Sequence, residues 1–342
     1  MKAAVYHGVR DIRVEEVPDK IIGPDEVSLD IKYCGVCGTD IHIFNGEGGS
    51  FEVNPPLIPG HEFSGIVTEV GDNVTNVKVG DHVTGDPNIM CGKCYYCRNG
   101  MEHFCVNAIG IGTTADGGFA EKLVMRSSHV FKVPDDMDFK VAAMVEPVSC
   151  CIHGIDLCNI KSGDTVLVIG GGPIGIIMLQ LAKESGAAKV ILSEPVLEKR
   201  ELALKLGADY VVDPTTEDVA EVLDRVSENV NCVIECAGIT KTQEDAVSLA
   251  GKKATVLFFG LVSPEDKISI KPDQIFKKEL TIISSFINPY SYTRAIDVLS
   301  MGRLDVTSII SKIIPLDEIE EAFTNAELRR DGKVMIKISK DD

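Results

Sequence analysis

Four cysteines lie close together in the run Cys91-Gly-Lys-Cys94-Tyr-Tyr-Cys97, which Cys105 follows. Their spacing, C-x2-C-x2-C-x7-C, lets four thiolates converge on one cation, and a closed tetrahedral set of sulfur ligands is what structural Zn(II) prefers. Such a site has no open coordination position, so it would hold a loop in shape and do no chemistry. Iron–sulfur ligation and a chance grouping of unrelated cysteines are the alternatives.

A second set of residues combines a thiol, an imidazole and carboxylates. It comprises Gly60-His61-Glu62, the upstream run Cys37-Gly38-Thr39-Asp40-Ile41-His42 and the downstream pair Glu146-Pro147. A soft thiolate, an imidazole and one or two carboxylates are typical of an open zinc site of the catalytic kind. By residue type alone, Cys37 is equally consistent with a core position and Glu62 with a solvated surface charge.

The run Gly170-Gly171-Gly172-Pro173-Ile174-Gly175 fits G-x-G-x-x-G. It follows an apolar β-branched run, Thr165 to Ile169, and precedes a helical pattern, so we expect the pyrophosphate of a dinucleotide on that helix N-terminus. Glu194 ends the next predicted strand, and a carboxylate there favours NAD over NADP because it binds the ribose 2′-hydroxyl. Lys199 is either a second ribose contact or a solvated helix lysine.

The predicted secondary structure changes in character near residue 150. Up to about residue 150, short β-like runs alternate with glycine and proline, such as Lys2 to Tyr6, Gly65 to Val70 and Ala120 to Val124. From about residue 151, strands and helices alternate about six times, which predicts a doubly wound parallel sheet. The tail from Lys333 to Ile338 is again β-like, so we expect the chain to return to its first domain.

The charge and composition of the chain limit the classes of partner that we expect. The 342 residues carry a net charge of −18, which argues against nucleic acid and anionic membranes as partners. No apolar run reaches the roughly 20 residues that span a bilayer. Eleven cysteines with metal-type spacing and no apparent signal peptide predict reduced thiols in the cytoplasm.

Taken together, these motifs resemble the zinc-containing medium-chain alcohol dehydrogenases over essentially the whole chain. The resemblance rests on Gly60-His61-Glu62-x2-Gly65-x5-Gly71-x2-Val74, the four cysteines and the glycine motif. It implies an α/β protein with a GroES-like, partly open β-barrel catalytic domain and a Rossmann domain inserted before the last strands. We therefore expect residues 1–150 with 290–342 to form the catalytic domain and residues 151–289 the dinucleotide-binding domain.

The same resemblance assigns roles to individual residues. It implies that Cys37 and His61 bind a catalytic zinc and that Glu62 or Glu146 completes the shell. Asp40 matches the acid that orients the ligand histidine. The proton-relay positions of the family fall on Thr39 and His42, although an exposed loop histidine is the alternative for the latter. Two zinc ions per chain and NAD are the cofactors that it implies.

The runs Cys37-Gly-Thr-Asp40 and Glu146-Pro147 are similar to the polyol, butanediol and threonine dehydrogenase branch of that family. Sorbitol-type members carry an Arg-Tyr pair where this chain has Ile287 and Asn288, which puts sorbitol itself in doubt. The expected reaction is NAD-dependent oxidation of a secondary alcohol, a polyol or diol, to a ketone. Alternatives are an L-threonine-type amino alcohol, a sugar-alcohol phosphate, or a NAD-binding redox sensor. The family also implies a homodimer or homotetramer.

Overall fold

The computed structural model describes residues 1–47 and 52–339. Its strands are β1 (Lys2–Gly8), β2 (Asp11–Glu16), β3 (Glu26–Gly35), β4 (Glu62–Val70), β5 (His82–Gly85), β6 (Asn88–Ile89), β7 (Ile109–Gly110), β8 (Lys122–Arg126), β9 (Val130–Lys132), β10 (Thr165–Ile169), β11 (Lys189–Ser193), β12 (Tyr210–Val212), β13 (Cys232–Glu235), β14 (Thr255–Phe258), β15 (Thr281–Ser284), β16 (Ile310–Pro315) and β17 (Lys333–Lys337). Its α-helices are α1 (Gly38–Asn45), α2 (Tyr95–Arg98), α3 (Phe139–Ala143), α4 (Val145–Cys158), α5 (Pro173–Glu184), α6 (Leu197–Lys205), α7 (Val219–Val226), α8 (Thr240–Leu249), α9 (Pro272–Lys278), α10 (Tyr292–Ser300), α11 (Ile319–Thr324) and α12 (Ala326–Arg330).

The chain forms two compact units. The first comprises residues 1–147, 289–302 and 310–342, and the second comprises residues 148–288 and 303–309. The chain therefore leaves the first unit twice, after residues 147 and 302, and its last segment returns to the first unit, as the β-like tail predicts. The short segment 303–309 belongs to the second unit, whereas the sequence places it in the catalytic domain; the predicted domain borders stay a prediction.

A largely antiparallel sheet organises the first unit. Its strands follow the order β16-β17-β3-β4-β5-β9, with β8 also paired to β3. Side chains such as Leu29, Ile31, Phe63 and Phe119 fill the core beneath this sheet, where they are fully shielded from solvent. Because β17 pairs with β3 and β3 with β4, only β3 lies between β17 and the strand that begins at Glu62.

The second unit is built on a six-stranded parallel sheet. Its order is β12-β11-β10-β13-β14-β15, and every neighbouring pair runs parallel. All five residues of β10 are buried, as expected for a central strand covered on both faces. The chain enters the sheet at β10, adds β11 and β12 on one side, and then crosses back to add β13, β14 and β15 on the other side. The point at which the strand order reverses therefore lies between β10 and β13. In open α/β sheets, ligands bind at the carboxyl ends of the strands at such a point.

Most predicted elements form, with shifts at their ends. The predicted strand from Ala120 starts at Lys122 instead, because Ala120 makes only an isolated bridge with Ala3. Helix α4 has no counterpart in the sequence-based assignment. Among the described residues, none of the helices has both the length and the apolar character that a bilayer crossing requires.

Candidate metal and nucleotide sites

The four clustered cysteines converge in the structure. Ligand atoms from Cys91, Cys94, Cys97 and Cys105 all lie within 4.8 Å of one another. The Sγ atoms of Cys94 and Cys97 are 3.5 Å apart, and those of Cys91 and Cys97 are 4.0 Å apart. Four sulfurs around Zn(II), each about 2.3 Å from the metal, would be roughly 3.8 Å from one another, so the arrangement fits a tetrahedral zinc site.

Electrostatics of this cysteine group also favour a bound cation. Hydrogen bonding from the backbone N–H of Lys93 lowers the pKa of the Cys91 thiol to about 6. By contrast, burial and the neighbouring thiols raise the pKa of Cys97 to about 12. Because each thiolate makes the next one harder to form, four charged sulfurs need a positive ion among them.

The second predicted group also comes together. Ligand atoms of Cys37, His61 and Glu62 lie within 4.8 Å of one another. Cys37 caps the N-terminus of α1, while His61 and Glu62 stand at the start of β4. His61 and Glu62 are buried and Cys37 is half-buried, so the ligand set is partly screened from water. A set of one thiol, one imidazole and one carboxylate, with no fourth protein ligand in the described group, matches the donors of a reactive zinc site.

Asp40 links the thiol and the imidazole of this group. Its Oδ2 accepts a hydrogen bond from the backbone N–H of Cys37 at 2.8 Å, and its Oδ1 lies 3.5 Å from Nδ1 of His61. Burial lowers the pKa of His61, but the charges of Asp40 and Cys37 outweigh it and raise that pKa well above its usual value. The fully buried Asp40 therefore has the position of a carboxylate that orients a metal-binding histidine.

A lysine that the sequence analysis did not single out completes the group. Nζ of Lys333, on β17, lies 2.6 Å from Oε1 and 2.5 Å from Oε2 of Glu62, and donates to the carbonyl of Val36 at 3.1 Å. The side chains of Lys333 and Glu62 are only 5% and 1% exposed. Burial lowers the pKa of Lys333, but the negative groups around it, Glu62 above all, together outweigh burial, so the pKa is raised and the ammonium stays charged.

A glycine on the strand between them makes room for this ion pair. Gly35 of β3 lies opposite Glu62 of β4 and opposite Met335 of β17. A Cβ atom on Gly35 would lie 2.1 Å from Oε2 of Glu62, which is far inside contact distance. Any side chain at this position would therefore displace the Glu62 carboxylate.

The remaining predicted residues lie in the first unit as well. Glu146 is buried in the first turn of α4, and its charge contributes to the raised pKa of Lys333. It is not part of the described three-residue ligand group, so Glu62 is the carboxylate that the geometry brings to Cys37 and His61. Thr39 and His42 stand three residues apart on α1, and Nδ1 of His42 lies 2.5 Å from Oε2 of Glu47, a partner that sequence reasoning missed.

The glycine motif forms a turn between β10 and α5. Gly172 is the N-cap residue of α5 and Pro173 is its first residue, and no side chain caps this helix end. A Cβ atom on Gly175 would lie 1.8 Å from the carbonyl oxygen of Gly170, so only glycine allows helix and strand to approach this closely. Uncapped N–H groups at a helix N-terminus suit a pyrophosphate.

Glu194 lies beside this turn, immediately after β11. Its Oε2 accepts a hydrogen bond from the N–H of Gly171 at 2.6 Å, and its Oε1 accepts one from Val196 at 2.9 Å. The guanidinium of Arg200 donates to the carbonyl oxygens of Glu194 and Pro195, and lies 3.1 Å from Asp213. Lys199 is half-buried on α6. The structure thus places a buried carboxylate at the end of β11, beside the glycine turn.

Family models match both units. Residues 23–135 match the alcohol dehydrogenase GroES-like domain, and residues 173–301 match the zinc-binding dehydrogenase domain. The chain belongs to the zinc-binding alcohol dehydrogenase family. It is therefore an oxidoreductase, and both the predicted family and the predicted fold class, a GroES-like domain with a Rossmann domain, are confirmed.

Relatives within this family act on different substrates, according to their names. The chain is 34% identical to D-arabinitol dehydrogenase 1 of Uromyces fabae, over 98% of this chain and 97% of that protein. It is 36% identical to D-arabitol-phosphate dehydrogenase of Enterococcus avium, with 96% and 92% covered. It is also 36% identical to L-threonine 3-dehydrogenase of Pyrococcus abyssi, with 99% and 97% covered.

Solved structures with the same fold contain nicotinamide cofactors. A zinc-binding dehydrogenase from Sinorhizobium meliloti 1021, bound to NADP, superposes with a TM-score of 0.94 at 39% identity and covers 98% of both chains. An alcohol dehydrogenase from E. coli CFT073, complexed with NADH, gives a TM-score of 0.91 at 28% identity, with 98% and 99% covered. Zinc and a nicotinamide dinucleotide are thus the cofactors of this family.

We predict that Cys94→Ser removes one of the two zinc ions from the chain. Because the lost ion holds the loop from Cys91 to Cys105 together, we expect the free energy of unfolding to fall by about 2 kcal/mol or more. Metal analysis and denaturant unfolding measure the two effects. As a control, Cys150→Ala, which lies outside both cysteine-containing ligand groups, should keep both ions. A variant that keeps full stability with one zinc would contradict the structural role.

A second prediction concerns Lys333→Met, which leaves the buried Glu62 carboxylate without its ammonium. Removing one partner of a buried ion pair costs about 3–5 kcal/mol. Zinc offers Glu62 another cation, so the loss should be largest in chelator-treated protein and smaller in zinc-loaded protein. Denaturant unfolding of wild type and variant under both conditions measures the difference.

The control for that experiment is Lys132→Met, which removes one of the two ammonium groups, those of Lys78 and Lys132, that pair with the buried Asp81 in the same unit. Its effect on stability should be the same with and without zinc, because Asp81 is not among the candidate metal ligands. An equal, zinc-independent loss in Lys333→Met would show that Glu62 does not face the metal.

Proposed function

We propose that the protein is a zinc- and NAD-dependent dehydrogenase that oxidises the secondary hydroxyl of a polyol or diol to a ketone. The observation that carries this proposal is the convergence of Cys37, His61 and Glu62, with Asp40 behind the imidazole. This donor set has three protein ligands, whereas the cysteine group has four, so a tetrahedral zinc held by it would keep one position open for a substrate.

In this proposal Cys37, His61 and Glu62 hold the catalytic zinc, and Glu146 lies near enough to influence Lys333 and thereby the charge of the site. When bound, the metal supplies Lewis acidity that lowers the pKa of the substrate hydroxyl. Asp40 keeps His61 in one orientation, and Lys333 offsets the negative charge of Glu62. The four cysteines from Cys91 to Cys105 hold the second, structural zinc.

The proton of the substrate hydroxyl leaves along α1. Thr39 and His42 are three residues apart on this helix, a spacing that puts two side chains on one face. The Thr39 hydroxyl receives the proton, and His42, which is partly exposed and paired with Glu47, hands it to solvent. Glu47 acts here as a positioning residue because its carboxylate fixes the ring orientation of His42.

NAD is the preferred acceptor of the hydride in this proposal, although a relative at 39% identity binds NADP. Glu194 places a buried negative charge at the end of β11, which repels a ribose 2′-phosphate. Arg200, the nearest guanidinium, is held by Asp213 and by two carbonyl oxygens and has less freedom to bind that phosphate. The half-buried Lys199 is the remaining candidate for a ribose contact.

The substrate class follows from what the named relatives share. Arabinitol, arabitol phosphate and threonine all carry a secondary hydroxyl. Asn288, at the position of the sorbitol-type Arg-Tyr pair, is buried and donates a hydrogen bond to Ser149 at 2.9 Å. An internal bond of this kind supports a substrate other than sorbitol. An amino alcohol or a sugar-alcohol phosphate is the second candidate, since relatives with those names are as similar as the polyol enzyme.

We further propose a homodimer or homotetramer in the cytoplasm, as the family resemblance implies. A net charge of −18 fits a partner list of small molecules and further copies of the chain better than nucleic acid or an anionic membrane.

The test of this function is Cys37→Ser. We expect kcat/KM for alcohol oxidation to fall by more than about 100-fold, because one ligand of the catalytic metal is weakened. The affinity for NADH, measured by calorimetry, should change less than about twofold, since the glycine motif belongs to the other compact unit.

Cys34→Ala is the control for this variant, because Cys34 is a buried thiol on β3 that does not belong to the ligand group. It should lose some stability but keep its catalytic zinc and most of its activity. Near wild-type turnover in Cys37→Ser would remove Cys37 from the catalytic site.

A further inference from the structure

Glu235 is a buried carboxylate at the most constrained place in the parallel sheet. It is the last residue of β13 and is 0% exposed. Its strand pairs with β10 on one side and with β14 on the other, so Glu235 stands where the strand order reverses. Ligands of open α/β sheets bind outside the carboxyl ends of the strands at this point.

The Glu235 carboxylate holds the loop that follows β13. Its Oε1 accepts hydrogen bonds from the N–H of Ala237 at 2.8 Å, the N–H of Gly238 at 2.9 Å and the hydroxyl of Thr242 at 2.8 Å. Three donors on one oxygen fix the path of the chain from the end of the strand to the first turn of α8. The Glu235 side chain therefore provides three of the hydrogen bonds that hold this loop.

The same residue also fixes the loop that follows β14. The backbone carbonyl of Glu235 accepts the N–H groups of Phe259 and Gly260 at 2.9 and 3.0 Å. Its Oε2 has no hydrogen-bond partner among the described residues, and a Cβ atom on Gly260 would lie 2.9 Å from it. A Cβ on Gly260 would also lie 2.3 Å from the N of Gly238, so the two loops pack directly on each other.

Both loops adjoin the glycine turn. The N–H of Cys236 donates to the carbonyl of Ile169 at 2.8 Å, and a Cβ on Gly170 would lie 3.0 Å from the N of Ala237. The glycine turn follows β10, and Glu194 follows β11 on the adenosine side. The loops after β13 and β14 lie on the opposite side of the turn, which is where the other half of a dinucleotide must extend.

We infer that Glu235 is a positioning residue for the nicotinamide half of the cofactor, acting through the loops 236–239 and 259–261. This inference rests on the proposed binding of NAD by the parallel sheet. The two buried acids of the sheet then act on different halves of the cofactor. Glu194 contacts the adenosine half, and Glu235 positions the loops that lie beside the nicotinamide half.

The experiment compares two ligands that differ only in the nicotinamide half. NADH and ADP share the adenosine and pyrophosphate groups, and ADP lacks both the second ribose and the nicotinamide ring, so their dissociation constants, measured by calorimetry, separate the two halves of the site. In Glu235→Ala, we expect the affinity for NADH to fall about tenfold, which corresponds to about 1.4 kcal/mol, while that for ADP changes less than twofold. Glu235→Gln keeps an acceptor oxygen and should restore NADH binding to within about threefold of wild type.

Two further variants keep the test decisive. Thr242→Val removes one donor to Glu235 at a partly exposed position, and it should weaken NADH in the same selective way if Glu235→Ala fails to fold. Asp209→Ala is the control, because Asp209 also binds a backbone N–H, that of Val190 at 2.7 Å, but it precedes β12 at the amino edge of the sheet. It should change neither affinity.

The measured affinities either support or overturn the proposed role of Glu235. Equal weakening of NADH and ADP, or no change in either, would overturn the role of Glu235. If wild-type protein bound neither ligand, the proposed cofactor function itself would fail, and that result is distinct from a failure of Glu235.

Discussion

The charge balance around one buried carboxylate is the constraint on which the first unit depends. Glu62 is almost completely shielded from solvent, and the ammonium of Lys333 lies 2.5 Å from one of its oxygens. The Asp40 carboxylate and the Cys37 thiol lie within the same few ångströms, beside the imidazole of His61, whose pKa is raised. A metal cation held by Cys37, His61 and Glu62 would stabilise the thiolate and carboxylate forms of its ligands, so it would complete the charge balance that burial demands.

This constraint explains why the chain returns to its first unit. Lys333 comes from β17, which reaches β4 only because β3 lies between them, and Gly35 of β3 leaves the space that the carboxylate occupies. The second unit is inserted between the ligands of the metal site and their counter-ion. The last strand therefore supplies the positive charge that pairs with Glu62, although the candidate metal ligands lie near the start of the sequence.

How far the sequence predicts the site depends on the distance between partners along the chain. The group from Cys91 to Cys105 and the turn from Gly170 to Gly175 contain their own geometry in a few residues, so spacing alone indicates both. Lys333 and Glu62 are separated by 271 residues, and no local pattern marks a strand lysine as the partner of a buried acid. The sequence does not indicate the proposed role of Glu235 for a related reason, because that role depends on the position of β13 between β10 and β14.

We propose that a zinc ion held by Cys37, His61 and Glu62 promotes the oxidation of a secondary alcohol by a nicotinamide cofactor. The most direct test of this proposal is the absorbance of NADH formed from NAD with a panel of polyols, diols, polyol phosphates and threonine, before and after a zinc chelator. The account predicts that one class of secondary alcohol reduces NAD and that the chelator abolishes the reaction until zinc is restored. Full activity in protein shown to contain no zinc would contradict it.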